Sequence, residues 1–143
     1  MVSNTQIIEN IVMLNNDAII FADKSGIIRL WNRGAEDMLG FTAAEAIGQS
    51  LNLFIPENLR QQHWEGYHQV MAGRESRYGK ELLAAPGLRK DGTRLSLEFS
   101  MVVLRDSEGG IIGVGAIMRD VTSRFAKEKE LKTRIKELES ARA

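Results

Sequence analysis

Arg89-Lys90-Asp91-Gly92-Thr93-Arg94-Leu95-Ser96-Leu97-Glu98-Phe99-Ser100-Met101-Val102-Val103 reads as a turn followed by a strand. Leu95, Leu97, Phe99, Met101 and Val103 alternate with Arg94, Ser96, Glu98 and Ser100, so one face of the strand is apolar and the other polar. Downstream, Asp106 to Gly110 supplies a second turn, and Ile111 to Met118 makes a further strand. Its Gly113 and Gly115 mark places where backbone or a ligand approaches closely. Upstream, Arg77 to Ala85 is a strand candidate, so the second half of the chain is rich in strands.

The first half begins with a short amphipathic helix over Ser3 to Leu14, with Ser3 as its cap and Ile7, Ile8, Ile11, Val12 and Leu14 at helical spacing. A hairpin follows. Ala18 to Ala22 and Ile27 to Trp31 are its strands, and Asp23-Lys24-Ser25-Gly26 is its turn. From Asn32 the chain turns helical, with Ala35, Met38 and Leu39 on one face and Gly40 at the end. Thr42-Ala43-Ala44-Glu45 has capping-box spacing for a second short helix ending near Gly48. Pro56 fits the first turn of a third helix, the longest inside the domain, over Glu57 to Ala72.

Length and composition restrict the function. The chain has 143 residues, 43% hydrophobic and 27% charged, which suits one domain with terminal extensions. Nineteen basic residues balance nineteen acidic ones, so no net field favours nucleic acid or anionic lipid. No apolar run approaches the ~20 residues of a membrane span, and Met1 to Val12 lacks a signal-peptide pattern, so the expected location is cytoplasmic. The absence of cysteine removes thiolate metal sites, thiol nucleophiles and cysteine-adduct photochemistry, and two histidines are too few for a histidine-rich metal site. No nucleophile stands with a plausible base, and no glycine loop is built to cradle phosphate. The chain does not read as an enzyme.

Several stretches in their order resemble the PAS family over roughly residues 10 to 122. They are Asp17-Ala18-Ile19 leading to Asp23 and Gly26-Ile27-Ile28, then Trp31-Asn32-Arg33-Gly34-Ala35-Glu36, then Gly40-Phe41-Thr42 before Ala44-Glu45-Ala46-Ile47-Gly48. Arg89-Lys90-Asp91-Gly92 and Arg119-Asp120-Val121-Thr122 complete the set. The resemblance implies an α+β PAS fold: a five-stranded antiparallel sheet with flanking helices, a C-terminal exit helix, and a pocket between the sheet and the long helix. The implied division is a lead-in helix over residues 1–16, a sensory domain over 17–121 and a signalling helix over 122–143. It does not identify a ligand.

Along the long helix, Leu59, His63, Tyr67 and Val70 recur every four, four and three residues, which turns His63 toward the sheet. His68 lies about 140° further around, on the solvated side. Pro56-Glu57-x-x-Arg60-x-x-His63-x-x-x-Tyr67 resembles the same helix in haem-containing PAS oxygen sensors of the FixL type. There a histidine at this position is the axial iron ligand. The chemistry needs a neutral imidazole on a rigid helix facing an apolar slot. The resemblance implies haem b on His63, with Leu59 and Tyr67 beside it and Leu82, Phe99 and Met101 as apolar walls. Leu83 falls where those sensors carry a distal arginine that hydrogen-bonds bound oxygen, so Tyr78 or Met101 would have to contribute there instead. A second reading stands beside it: His63 is a core histidine that packs and hydrogen-bonds. Trp31 and Trp64 suit packing better than stacking on a cofactor.

Asp120 and Thr122 match the family's Asp-x-Thr junction between the last strand and the output helix. Thr122 can cap that helix, and Asp120 can hold a neighbouring basic residue and so relay a signal. Beyond the junction, Leu131, Ile135 and Leu138 have the four-three spacing of a short parallel coiled coil. The expected partners are a second copy of the chain and a downstream effector such as a histidine kinase or a cyclase. The alternative is a ligand-free PAS module for dimerisation and docking.

Overall fold

Short polar side chains set where the first three helices of this chain begin. In the computed structural model, which describes residues 1–73 and 81–142, the Ser3 hydroxyl accepts from the Gln6 amide at 3.1 Å and starts α1 (Asn4–Met13). Asn32 caps α2 (Arg33–Leu39), and Gly40 ends it with φ +83°. Thr42 and Glu45 form the reciprocal capping box of α3 (Ala43–Ala46), at 3.2 and 3.0 Å. The long helix is tighter at its start than its periodicity suggests. Glu57–Leu59 is a 3-10 turn, and α4 proper covers Arg60–Met71.

Five strands, β1 (Ala18–Asp23), β2 (Ile28–Trp31), β3 (Leu83–Leu88), β4 (Arg94–Arg105) and β5 (Ile111–Asp120), form one antiparallel sheet in the order β2-β1-β5-β4-β3. The fold is the expected α+β one. Its register stacks the apolar positions in rows across one face. Leu83, Phe99, Met118 and Ala18 make one row, and Met101, Ala116, Ile20 and Trp31 make the next. Ala18, Ile20, Trp31 and Met118 are buried there with Leu39, Ala35, Phe54 and Leu97. This inner face is the core.

The strand expected over Arg77 to Ala85 lies further along the chain. Its residues 77–80 fall outside the described residues, and β3 runs instead from Leu83 through Pro86 and Gly87 to Leu88. Proline cannot donate to a ladder, which argues against a strand in general but not at an edge. β3 is the edge strand, so Pro86 loses nothing. β5 also extends two residues past Met118, to Asp120. Gly113 answers a neighbouring strand, since a Cβ there would stand 2.1 Å from the Ala22 carbonyl oxygen.

Asn32 is fully buried, the one polar side chain in the core among the described residues. Its Oδ1 accepts from the amides of Ile19 at 2.8 Å and Ala35 at 2.9 Å. Its Nδ2 donates to the carbonyls of Val12 at 2.7 Å, Asp17 at 3.0 Å and Asn15 at 3.3 Å. One carboxamide thus ties the end of α1, the linker, β1 and α2 together. Gly34 allows the approach, because a Cβ there would lie 2.1 Å from the Asp17 carbonyl oxygen. Asn32→Ala leaves several buried backbone groups unpaired and is expected to cost about 3 kcal/mol in urea unfolding. A change within the range of an ordinary surface substitution, about 0.5 kcal/mol, counts against this role.

Candidate functional site

Helix α4 is pinned to the rest of the molecule by three side chains. Arg60 donates through Nε to the Ile55 carbonyl at 3.1 Å and through its other nitrogen to the Asn52 carbonyl at 3.2 Å. One turn on, the Trp64 indole donates to Asn52 Oδ1 at 2.8 Å and lies on Gly26, where a Cβ would meet its ring at 2.1 Å. Gly26 also has φ +78°, so the hairpin turn and the contact both require glycine. A further turn on, the buried Tyr67 hydroxyl donates to the carbonyls of Ala22, at 3.4 Å, and Asp23. Burial, with the nearby Asp23 charge, pushes the phenol up to about 12, which keeps it a donor.

His63 stands between these anchors. It packs edge-on to Trp64 at 4.7 Å and tilted against Tyr67 at 5.7 Å between ring centroids. Its Nδ1 is buried and has no hydrogen-bond partner among the described residues. Burial holds the imidazole below the ordinary histidine value, so it is neutral near pH 7. His68 is exposed on the opposite side, as its spacing requires. Trp31 and Trp64 both take packing roles: Trp31 is in the core with its indole donating to the Phe41 carbonyl at 2.9 Å, and Trp64 sits on the hairpin turn.

The expected pocket walls divide. Phe99 and Met101 are half-buried against the core on the inner face, and Leu83 is paired directly with Phe99. Leu59, at the head of α4, is half-buried as well. Leu82 corrects the expectation. It is 63% exposed, because it precedes β3 and a one-residue offset in a strand turns a side chain to the other face. Tyr78 lies outside the described residues.

With a half-buried neutral histidine on a helix anchored to the first hairpin of an antiparallel sheet, the comparison with known proteins is decisive. A family model of the PAS fold matches residues 5–121. The chain belongs to the PAS family. It is 30% identical to Sensor protein FixL of Bradyrhizobium diazoefficiens over 134 residues, which take in 87% of this chain and 23% of that protein. The chain therefore spans less than a quarter of that relative. Among solved structures it is similar to a PAS domain of a protein from Colwellia psychrerythraea, at TM-score 0.74 and 24% identity over 85% of this chain and 99% of the other. It is also similar to an RNA-binding light-oxygen-voltage receptor, at TM-score 0.76 and 20% identity over 93% of this chain and 37% of that one. Both likenesses show the shared fold. PAS domains are generally sensory modules without catalytic activity, and no helix among the described residues is long and apolar enough to cross a membrane.

The PAS junction to α5 (Thr122–Ala141) is built differently from its expected detail. Asp120 holds no basic residue among the described ones. Its carboxylate accepts instead from the Thr122 amide at 3.0 Å and from the Thr122 hydroxyl at 2.5 Å. The Thr122 oxygen then accepts from the Ser96 amide at 3.0 Å, and the Val121 amide donates to the Ser96 carbonyl at 2.9 Å. Asp120 thus ties down the first residue of α5 and Thr122 bridges to β4, where the sequence pattern makes Thr122 the cap and Asp120 the holder of a basic residue. The basic residues around it, Arg119 and Arg124, pair with Asp17 and Glu98. Sequence reasoning missed those partners; the only signal for Glu98 was its place on the polar side of an alternating strand.

A depressed histidine pKa in the folded state has a definite sign in stability. The stabilisation is full above the unfolded value of about 6.5 and falls as acid protonates the unfolded chain first, down to the folded pKa. Urea unfolding at pH 7.5 and 5.5 is expected to show a loss that His63→Leu diminishes. An identical pH dependence in the variant contradicts the burial of a neutral imidazole.

Proposed function

We infer that this PAS domain is a sensory input module that holds haem b on His63 and reports gas binding or redox state to a downstream effector. The observation that carries the reading is the His63 imidazole: neutral, half-buried beside Trp64 and Tyr67, with a buried Nδ1 that lacks a partner among the described residues. The unpartnered atom is Nδ1, and burial without a partner there keeps the imidazole in the neutral form that can bind iron through Nε2. The residues fit the group. His63 would hold the iron, and Leu59, Tyr67, Leu83, Phe99 and Met101 would supply the surrounding surface. When bound, haem supplies an iron centre whose gas occupancy or oxidation state is the signal. This chain's own part is to keep the imidazole neutral, fix α4 through Trp64 and Tyr67, and present an apolar Leu83 where a charged donor would favour bound oxygen.

Output leaves through residues 122–143. The effector is a histidine kinase or a cyclase in this reading, in line with a relative named as a sensor protein. The second reading, a ligand-free module for dimerisation and docking, draws support from the exposed apolar residues of the terminal helices. Ile8 and Ile11 on α1 are each 61% exposed, and Leu131, Ile135 and Leu138 on α5 are all exposed. The two readings share a homodimer formed partly by the α5 stripe.

Reconstitution with haemin separates them. The parent protein is expected to give a ligated Soret band that His68→Ala keeps and His63→Ala loses, and the loaded parent to take carbon monoxide readily and oxygen weakly. If the parent takes up no haem, or both variants bind it alike, His63 is a core histidine and the module is ligand-free or takes another small ligand. For the dimer, the double variant Leu131→Lys, Ile135→Lys is expected to shift light scattering toward monomer, because each lysine removes an apolar contact of roughly 1.5 to 3 kcal/mol. An unchanged mass in the variant assigns association to another surface.

A further inference from the structure

Helix α5 has 20 residues and a length of about 30 Å, yet none of its described residues is buried. Among the described residues its hydrogen bonds and ion pairs to the sheet all fall at the root, on Val121, Thr122 and Arg124. The first two fasten its start to Ser96. The third sets its direction, because Arg124 reaches from the first turn to Glu98 on β4. A tilt of about 10° at that root carries the far end about 5 Å. Exposed ion pairs add little to global stability, but no core contact competes with this one for the helix direction.

Glu98 is contested. In the β4–β5 register its direct cross-strand neighbour is Arg119, which the structure pairs with Asp17 at 3.1 Å. Arg124 also has a second acid within reach, Glu128 one turn along α5 at 3.8 Å. Asp17, Arg119, Glu98, Arg124 and Glu128 therefore form a ladder of alternating charge with three acids and two bases. The Asp17 and Glu98 side chains are 28% and 21% exposed and so held in place, whereas those of Arg119 and Arg124 are 70% and 56% exposed and free to change partner.

We propose that this ladder is a two-state coupling element that sets the exit angle of α5 and links it to the incoming chain at Asp17. In the latched state Asp17 keeps Arg119 and Glu98 keeps Arg124. In the other, Arg119 moves to Glu98, Arg124 falls back to Glu128, and α5 is released without leaving either guanidinium unpaired. Asp17 follows the α1 end that Asn32 holds, so a displacement of α1 reaches α5 without passing through the His63 site. The strand that carries Glu98 also carries Phe99 and Met101, so a change at the inner face reaches the same latch. The mechanism is independent of which ligand the pocket takes.

The chain has no cysteine, so spin labels placed by Ser107→Cys in the β4–β5 turn and Thr133→Cys on α5 are site-specific. The labelled chain, diluted in unlabelled protein, reports one intrachain distance distribution, with circular dichroism confirming the fold of each variant. Glu98→Gln and Arg124→Gln are each expected to raise the released fraction about threefold, and Asp17→Asn to do the same although it does not touch α5. Glu128→Gln, which removes the fallback partner, is expected to narrow the distribution. The deciding variant is the double, Asp17→Asn with Arg119→Gln, which removes the freed competitor and is expected to restore the parental distribution. If that double is as broad as Asp17→Asn alone, the Asp17–Arg119 bridge is only structural and the coupling is refuted. If both Glu98→Gln and Arg124→Gln leave the distribution unchanged, there is no latch.

Discussion

The Asn32 carboxamide is the constraint on which the rest of the molecule depends. Only a side chain with an acceptor and a two-hydrogen donor on one planar group can serve two amides and three carbonyls from a fully buried position. An aspartate would lose the donors, and an aliphatic residue would leave every one of those groups dry and unpaired. By joining the end of α1 and the linker to β1 and α2, it determines where the first strand begins. β1 lies between β2 and β5 in the sheet, so that starting point sets the register of the strands on its two sides.

From this frame the site follows in sequence. The β1–β2 turn gives Trp64 a flat seat at Gly26, and the end of β1 gives Tyr67 two carbonyls, so α4 is held against that hairpin at two successive turns. His63 lies one position before Trp64 and four before Tyr67. Its neutrality follows from where those anchors put it, and not from a hydrogen bond of its own.

The output end obeys a different physics. Around His63 burial dominates, whereas at the root of α5 the interactions are exposed, individually weak and exchangeable. Asp120 and Thr122 fasten the start of the helix with short local bonds, and Glu98 on β4 pairs with Arg124 in its first turn. A sensory domain needs this division, since a rigid site and a helix that moves cannot be held by the same kind of contact.

Much of the architecture was legible because it depends on local chemistry. The caps at Ser3 and Thr42, the glycine at Gly40, the turn at Arg89 to Gly92 and the alternation of β4 each arise from residues within a few positions of one another, and so did the side of α4 that carries His63. Residues matched in order along the chain likewise carried the PAS resemblance. The tertiary structure alone decided the position of β3, because an edge tolerates Pro86 and only the assembled sheet shows which strand is the edge. It alone decided that Leu83 faces inward while Leu82 does not, and that Asn32 is a hub as well as a cap. It alone brought Asp17, Glu98, Arg119 and Arg124 into one ladder from distant parts of the chain. Propensity and periodicity act over a turn of helix or a few residues of strand, whereas burial and ion pairing depend on which distant residues the fold brings together.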